Sequence, residues 1–104
     1  MAFFTIVPWE YKKYKREGKR MDKILKEIKE ERSYQDSKWG TEFDDRNTAN
    51  DWTTYITQYA SNAAFAKNLD EWRVQMLKTA ALAVAALEAF DRNQGLLPKR
   101  HYDK

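Results

Sequence analysis

The stretch Leu69–Arg92 constrains the fold most. Trp72, Met76, Leu77, Ala80, Ala81, Val84, Leu87 and Phe90 recur at helical spacing and cover much of the circumference. Ala80, Ala81, Ala83, Ala85, Ala86 and Ala89 are small, which permits close approach of neighbouring helices. A helix apolar over so much of its girth belongs at the centre of a bundle or in a subunit interface. Asn68, with Glu71 at the third helical position, marks its start, while Asn93, Gly95 and Pro98 mark its end.

Two further helices are predicted in front of it. Thr48 and Asp51 form a capping-box pattern, and Trp52, Tyr55, Ile56, Tyr59, Ala60 and Ala63 mark one face of a helix over about 49–66. Aromatic core packing is the ordinary use of that stripe. Upstream, Met21, Ile24, Leu25 and Ile28 define a helix over about 19–37. Extending its stripe reaches Glu31, Arg32, Gln35 and Trp39, so the inner face turns polar halfway along. Buried polar groups need partners, which predicts a hydrogen-bonded network there. Arg32, Gln35 and Trp39, together with Tyr55 and Tyr59, are the candidate ligand pocket. Gly40 suits the helix stop. Thr41 to Asn47 reads as an acidic loop, with Glu42, Asp44 and Asp45 as weak oxygen ligands for a cation.

The expected architecture is all-α: a three-helix antiparallel core assembling into an oligomeric helical bundle. Residues 1–18 form a short N-terminal extended arm, 19–97 a single helical domain and 98–104 a flexible tail. The arm is expected to be extended because Thr5, Ile6 and Val7 are β-branched and Pro8 ends the run. At 104 residues the chain can bury only a modest core, and oligomerisation would bury more.

Composition removes several chemistries. The absence of cysteine excludes disulfides and thiolate catalysis, and the lone His101 has no second histidine with which to build a metal site. No apolar run approaches the ~20 residues of a membrane span, and no signal-peptide pattern is present, so a cytoplasmic location is expected. Net charge is +3, with the excess concentrated in Lys12, Lys13, Lys15, Arg16, Lys19 and Arg20. Trp9, Tyr11 and Tyr14 interleave with these bases, a pattern that suits phosphates and stacked bases as well as a solvated amphipathic turn.

Glu31-Arg32-x-x-Gln35-Asp36-x-Lys38-Trp39-Gly40, the acidic stretch, Trp52 and the run Leu77 to Glu88 together resemble small MazG-like proteins, relatives of the all-α nucleotide pyrophosphohydrolases of phages and mobile elements. The resemblance spans about residues 21–93 and implies a helical bundle that dimerises or tetramerises. In active members of the family, acids on the second and third helices hold magnesium. At the matching positions this chain has Gln58, Tyr59, Ala60, Ser61 and Asn62, then Gln75 and Lys78. The resemblance therefore implies a non-catalytic oligomer with no cofactor, serving as a mobile-element accessory or as a module that binds a small ligand or a partner. One alternative is a magnesium-dependent nucleoside triphosphate pyrophosphohydrolase using rearranged acids, with Glu31, Asp36 and Glu88 as metal candidates. A second is nucleic-acid binding through the basic stretch. A homodimer or higher homo-oligomer is the expected assembly, with no membrane partner.

Overall fold

The computed structural model describes residues 8–100, with side chains from Gly18 onward. The fold is all-α, with three helices in the order α1 (Pro8–Asp45), α2 (Ala49–Ala64) and α3 (Leu69–Arg92). Helix α3 packs against both others, whereas α1 and α2 pack on α3 rather than on each other. The chain direction reverses at each connection, so α1 and α3 run parallel: Glu27 meets Arg73, Glu31 meets Lys78 and Asp45 meets Arg92.

The caps of α2 and α3 form as their residues dictate. The Thr48 hydroxyl accepts from the Asp51 amide at 3.1 Å, and the Asp51 carboxylate accepts from the Thr48 amide at 2.9 Å. At α3 the Asn68 side chain accepts from the Glu71 amide at 2.8 Å. Glu71 itself reaches one residue past the cap and accepts from the Lys67 amide at 3.0 Å. The C-terminal end closes through amide bonds from Gln94 to the Asp91 carbonyl and from Gly95 to that of Phe90. Both closing residues have positive φ.

Helix α1 departs from the expectation at both ends. It begins at Pro8 rather than near Lys19, so residues 8–18 are helical and not an extended arm. Proline at the first helical position loses no intrahelical bond and arrives with its φ preset, and the Lys, Arg and Glu that follow are good helix formers. Residues 1–7 of the arm, and His101 with the end of the tail, lie outside the described residues. At the other end Gly40 interrupts the helix at φ 81°, ψ 167°, but helical backbone resumes over 41–45, where a loop was expected.

The core is small. Trp52 of α2 packs with Leu82, Ala85 and Ala89 of α3, and Tyr55, Ile56, Tyr59, Ala86 and Leu97 close around it. The first apolar stripe is not buried as its spacing predicts, because Met21, Ile24 and Leu25 are exposed. Leu25 and Ile28 face Val84 and Glu88 of α3 across an open cavity of about 420 Å³ rather than in contact with them, so among the described residues the stripe stays uncovered.

Candidate functional site

The polar half of the α1 stripe forms the network its sequence implies, but it lies against α3 and not in a pocket with the α2 aromatics. Arg32 donates from Nε to Glu88 at 2.8 Å and from Nη1 to the Gln35 side-chain oxygen at 3.5 Å. Its Nη2 lies 3.9 Å from Asp36 and 4.0 Å from Asp44. Gln35, only 4% exposed, donates its amide to Glu31 at 3.5 Å, and Glu31 also accepts from Lys78 at 3.3 Å. A buried side chain that bridges two charged partners is fully engaged within the chain.

A separate cleft of about 280 Å³ opens between the C-terminal part of α1 and the exposed side of the core. Trp39, Phe43, Asp44 and Asn47 form one wall, Trp52, Tyr55, Gln58, Tyr59 and Asn62 of α2 form the other, and Leu82 of α3 lies beneath. Trp39 and Phe43 stack at 6.5 Å between ring centroids, and Lys38 sits 4.9 Å above the Trp39 ring. The bend at Gly40 is what gives this wall its form. It redirects the chain so that Phe43 and Asp44, on the resumed helical turn, line the same cleft as Trp39.

The five pocket candidates therefore separate. Trp39, Tyr55 and Tyr59 line the cleft, while Arg32 and Gln35 belong to the network behind it. Phe43, Asn47 and Trp52 also line the cleft, and sequence spacing does not single them out for a site. Trp52 reads as core, as it is, and Phe43 and Asn47 fall where the sequence reads as loop. The one available signal was the aromatic content of the segment around Gly40.

Two polar atoms of the cleft residues stand out. Asn47 and Trp52 are 6% and 4% exposed, yet the Asn47 side-chain nitrogen and the Trp52 indole nitrogen have no hydrogen-bond partner. Both are obligate donors, and a buried donor without an acceptor costs about 1–3 kcal/mol. Burial also pushes the Asp44 carboxyl above its ordinary range, with Arg32 pulling the other way. The cleft thus offers flat apolar faces and one carboxyl group, and two of its lining residues keep an unmatched N–H donor buried behind that surface.

The acids proposed for a metal are distributed differently. Glu31 is tied to Lys78, Asp36 and Glu88 face Arg32, Asp45 is held by Arg92 and Asn93, and Glu42 is exposed. Among the described residues, no group of three or more His, Cys, Asp or Glu is placed to hold a metal ion. Gln58 and Asn62, at positions where the MazG-like resemblance calls for acids, put neutral amides on the cleft wall. Of the basic stretch, Lys19 and Arg20 are exposed, and the side chains of Lys12, Lys13, Lys15 and Arg16 lie outside the described residues. No described helix is long and apolar enough to cross a membrane. No protein family, curated protein or solved structure matches this chain.

Proposed function

We propose that the chain is a non-catalytic, oligomeric helical protein of MazG-like ancestry that binds a small planar ligand in the cleft between α1 and α2. The observation that carries this reading is the pair of buried donors on Asn47 and Trp52, which lack acceptors within the chain. A flat ring bearing carbonyl or ring-nitrogen acceptors matches what the cleft lacks. Its faces meet Trp39, Tyr55 and Tyr59, and a side-chain shift at Asn47 and Trp52 brings their buried nitrogens to its acceptors. A nucleobase has that chemistry. Ancestry is supported by the motif from Glu31 to Gly40, and the absence of catalysis by the amides and cations at the expected acid positions.

The magnesium-hydrolase reading has weaker support, since using Glu31, Asp36 or Glu88 means first removing Lys78 or Arg32 from them. Nucleic-acid binding rests on the basic stretch alone, and predicts affinity that falls steeply with salt.

Thermal unfolding of the whole chain with each nucleoside and nucleoside triphosphate, with and without magnesium, tests the reading. A bound ligand raises the melting temperature according to its concentration relative to Kd. The expected result is a base-dependent rise that needs no magnesium, is lost in Trp52→Phe and is accompanied by no pyrophosphate release. No rise with any base overturns the ligand assignment. A magnesium-dependent rise with pyrophosphate release favours the hydrolase.

A further inference from the structure

The uncovered stripe of α1 is bordered by cations on both sides. At about 100° per residue, Met21, Ile24, Leu25 and Ile28 fall within an arc of about 100°. Arg20 stands about 40° beyond one edge of that arc and Lys29 about 40° beyond the other, while Lys19, Lys23 and Lys26 lie opposite it. Met21 is 60% exposed, Ile24 44% and Leu25 52%, and all five cations are exposed. Among the described residues none of the five forms a salt bridge. Acids do little to offset them, since Glu27 is held by Arg73 and Asp22 is the only other acid between Lys19 and Lys29.

The segment therefore presents aliphatic side chains to water with long cationic stems on either flank. Nucleic acid would use only half of that surface, because phosphates take the cations but bases stack on flat rings, which Met21, Ile24 and Leu25 do not supply. An anionic bilayer surface uses all of it. The aliphatic side chains enter the boundary between headgroups and acyl chains, and the stems of Arg20 and Lys29 lie along it with their charges at the lipid phosphates. Lys19, Lys23 and Lys26 stay in water, about one helix diameter away, where a negative surface still attracts them. The expectation of no membrane partner follows from the lack of a spanning segment, which a helix lying in the headgroup layer does not need.

We propose that the segment from Lys19 to Lys29 of α1 docks on an anionic lipid surface, with Met21, Ile24 and Leu25 inserted and Arg20 and Lys29 at the phosphates. The open cavity beside Leu25, Ile28 and Val84 extends the apolar surface toward α3, and Lys29 also lines it. None of these residues belongs to the cleft between α1 and α2, so lipid docking and ligand binding succeed or fail separately.

Two measurements on the whole chain decide it. In co-sedimentation, vesicles of phosphatidylcholine and phosphatidylglycerol in a two-to-one ratio are expected to bind the chain at least about tenfold more tightly than phosphatidylcholine alone. Added salt is expected to weaken that binding, and Leu25→Ser to weaken it about fivefold or more with helicity retained. The second measurement uses the absence of cysteine, which lets a single introduced thiol carry an environment-sensitive nitrobenzoxadiazole dye. On the mixed vesicles the dye is expected to brighten and shift to the blue on Met21→Cys, but not on Lys23→Cys, about 160° around the helix. Equal affinity for the two kinds of vesicle, or none for either, overturns the proposal. So does Leu25→Ser binding as tightly as the parent, which would leave charge alone at work, and so does an equal dye response at the two positions. Binding to a DNA duplex without binding to vesicles assigns the cations to nucleic acid instead. If Leu25→Ser fails to fold, the pair of dye positions decides alone.

Discussion

Arg32 and Glu88 join α1 to α3 through a 2.8 Å hydrogen bond, and the same guanidinium reaches Gln35 on its own helix. Arg32 is the more buried partner, with Glu88 half exposed, so the two ends of the pair are not equivalent. Arg32→Met is expected to lower unfolding free energy by about 2 kcal/mol, less than a fully buried pair loses because Glu88 regains water. Glu88→Gln keeps an acceptor in place and is expected to cost under about 1 kcal/mol. Urea unfolding of the two variants reads the asymmetry, and equal losses would mean that the pair, rather than Arg32 as a hub, carries the energy.

Asp44 provides a pH test of the cleft wall. Burial raises its carboxyl above the ordinary value of 3.8, so the folded chain prefers it protonated. Its favourable contribution is fully present below the unfolded value and is lost as pH rises through the raised folded value. Asp44→Asn is neutral throughout and does not follow that decline. The stability of the variant relative to the parent is expected to increase across that window and then level off above the folded value. Chemical denaturation at a series of pH values measures it, and a flat difference would mean that Asp44 is solvated in the folded chain.

Glu27 and Asp45 act in the opposite sense. A hydrogen bond from Arg73 holds the Glu27 carboxyl below its ordinary value of 4.5, and one from Arg92, with Asn93 adding to it, holds Asp45 below 3.8. Depressed values contribute stability above the unfolded pKa, lost as pH falls through the folded one. The double variant Glu27→Gln, Asp45→Asn is expected to show a shallower loss of melting temperature between about pH 5 and pH 2 than the parent. Both carboxylates are partly open to solvent, so raising salt is expected to shrink the difference.

Helix ends written in capping residues were legible, and ends set by context were not. Thr48, Asn68 and Gly95 each act within a few residues of themselves, so α2 and α3 start and stop near their predicted bounds. Pro8 has two local meanings, the end of an extended run or the first position of a helix, and the residues that follow it select the second. At the site, Trp39, Tyr55 and Tyr59 could be picked out as aromatic residues at helical spacing. Phe43, Asp44 and Asn47 could not, because they reach the cleft through a bend whose direction no spacing rule encodes. Helical spacing places Arg32 and Gln35 on the inward face, but which neighbour they meet depends on how α1 registers against α3.

That bend yields the last prediction. Gly40 sits at φ 81°, ψ 167°, a region essentially restricted to glycine, while a Cβ built there would touch nothing within 4 Å. The cost of Gly40→Ala is therefore backbone strain without collision, about 1–2 kcal/mol. Gly18 offers the control within the same helix. It too has nothing within 4 Å of a Cβ, but its backbone is regular helix. Gly18→Ala is expected to stabilise the chain by about 0.5–1 kcal/mol, because alanine loses less backbone freedom on folding. Opposite signs for two identical substitutions in one helix would assign the effect to the bend. If Gly40→Ala were neutral, helix α1 would run straight through that position, and Phe43 and Asp44 would no longer line the cleft.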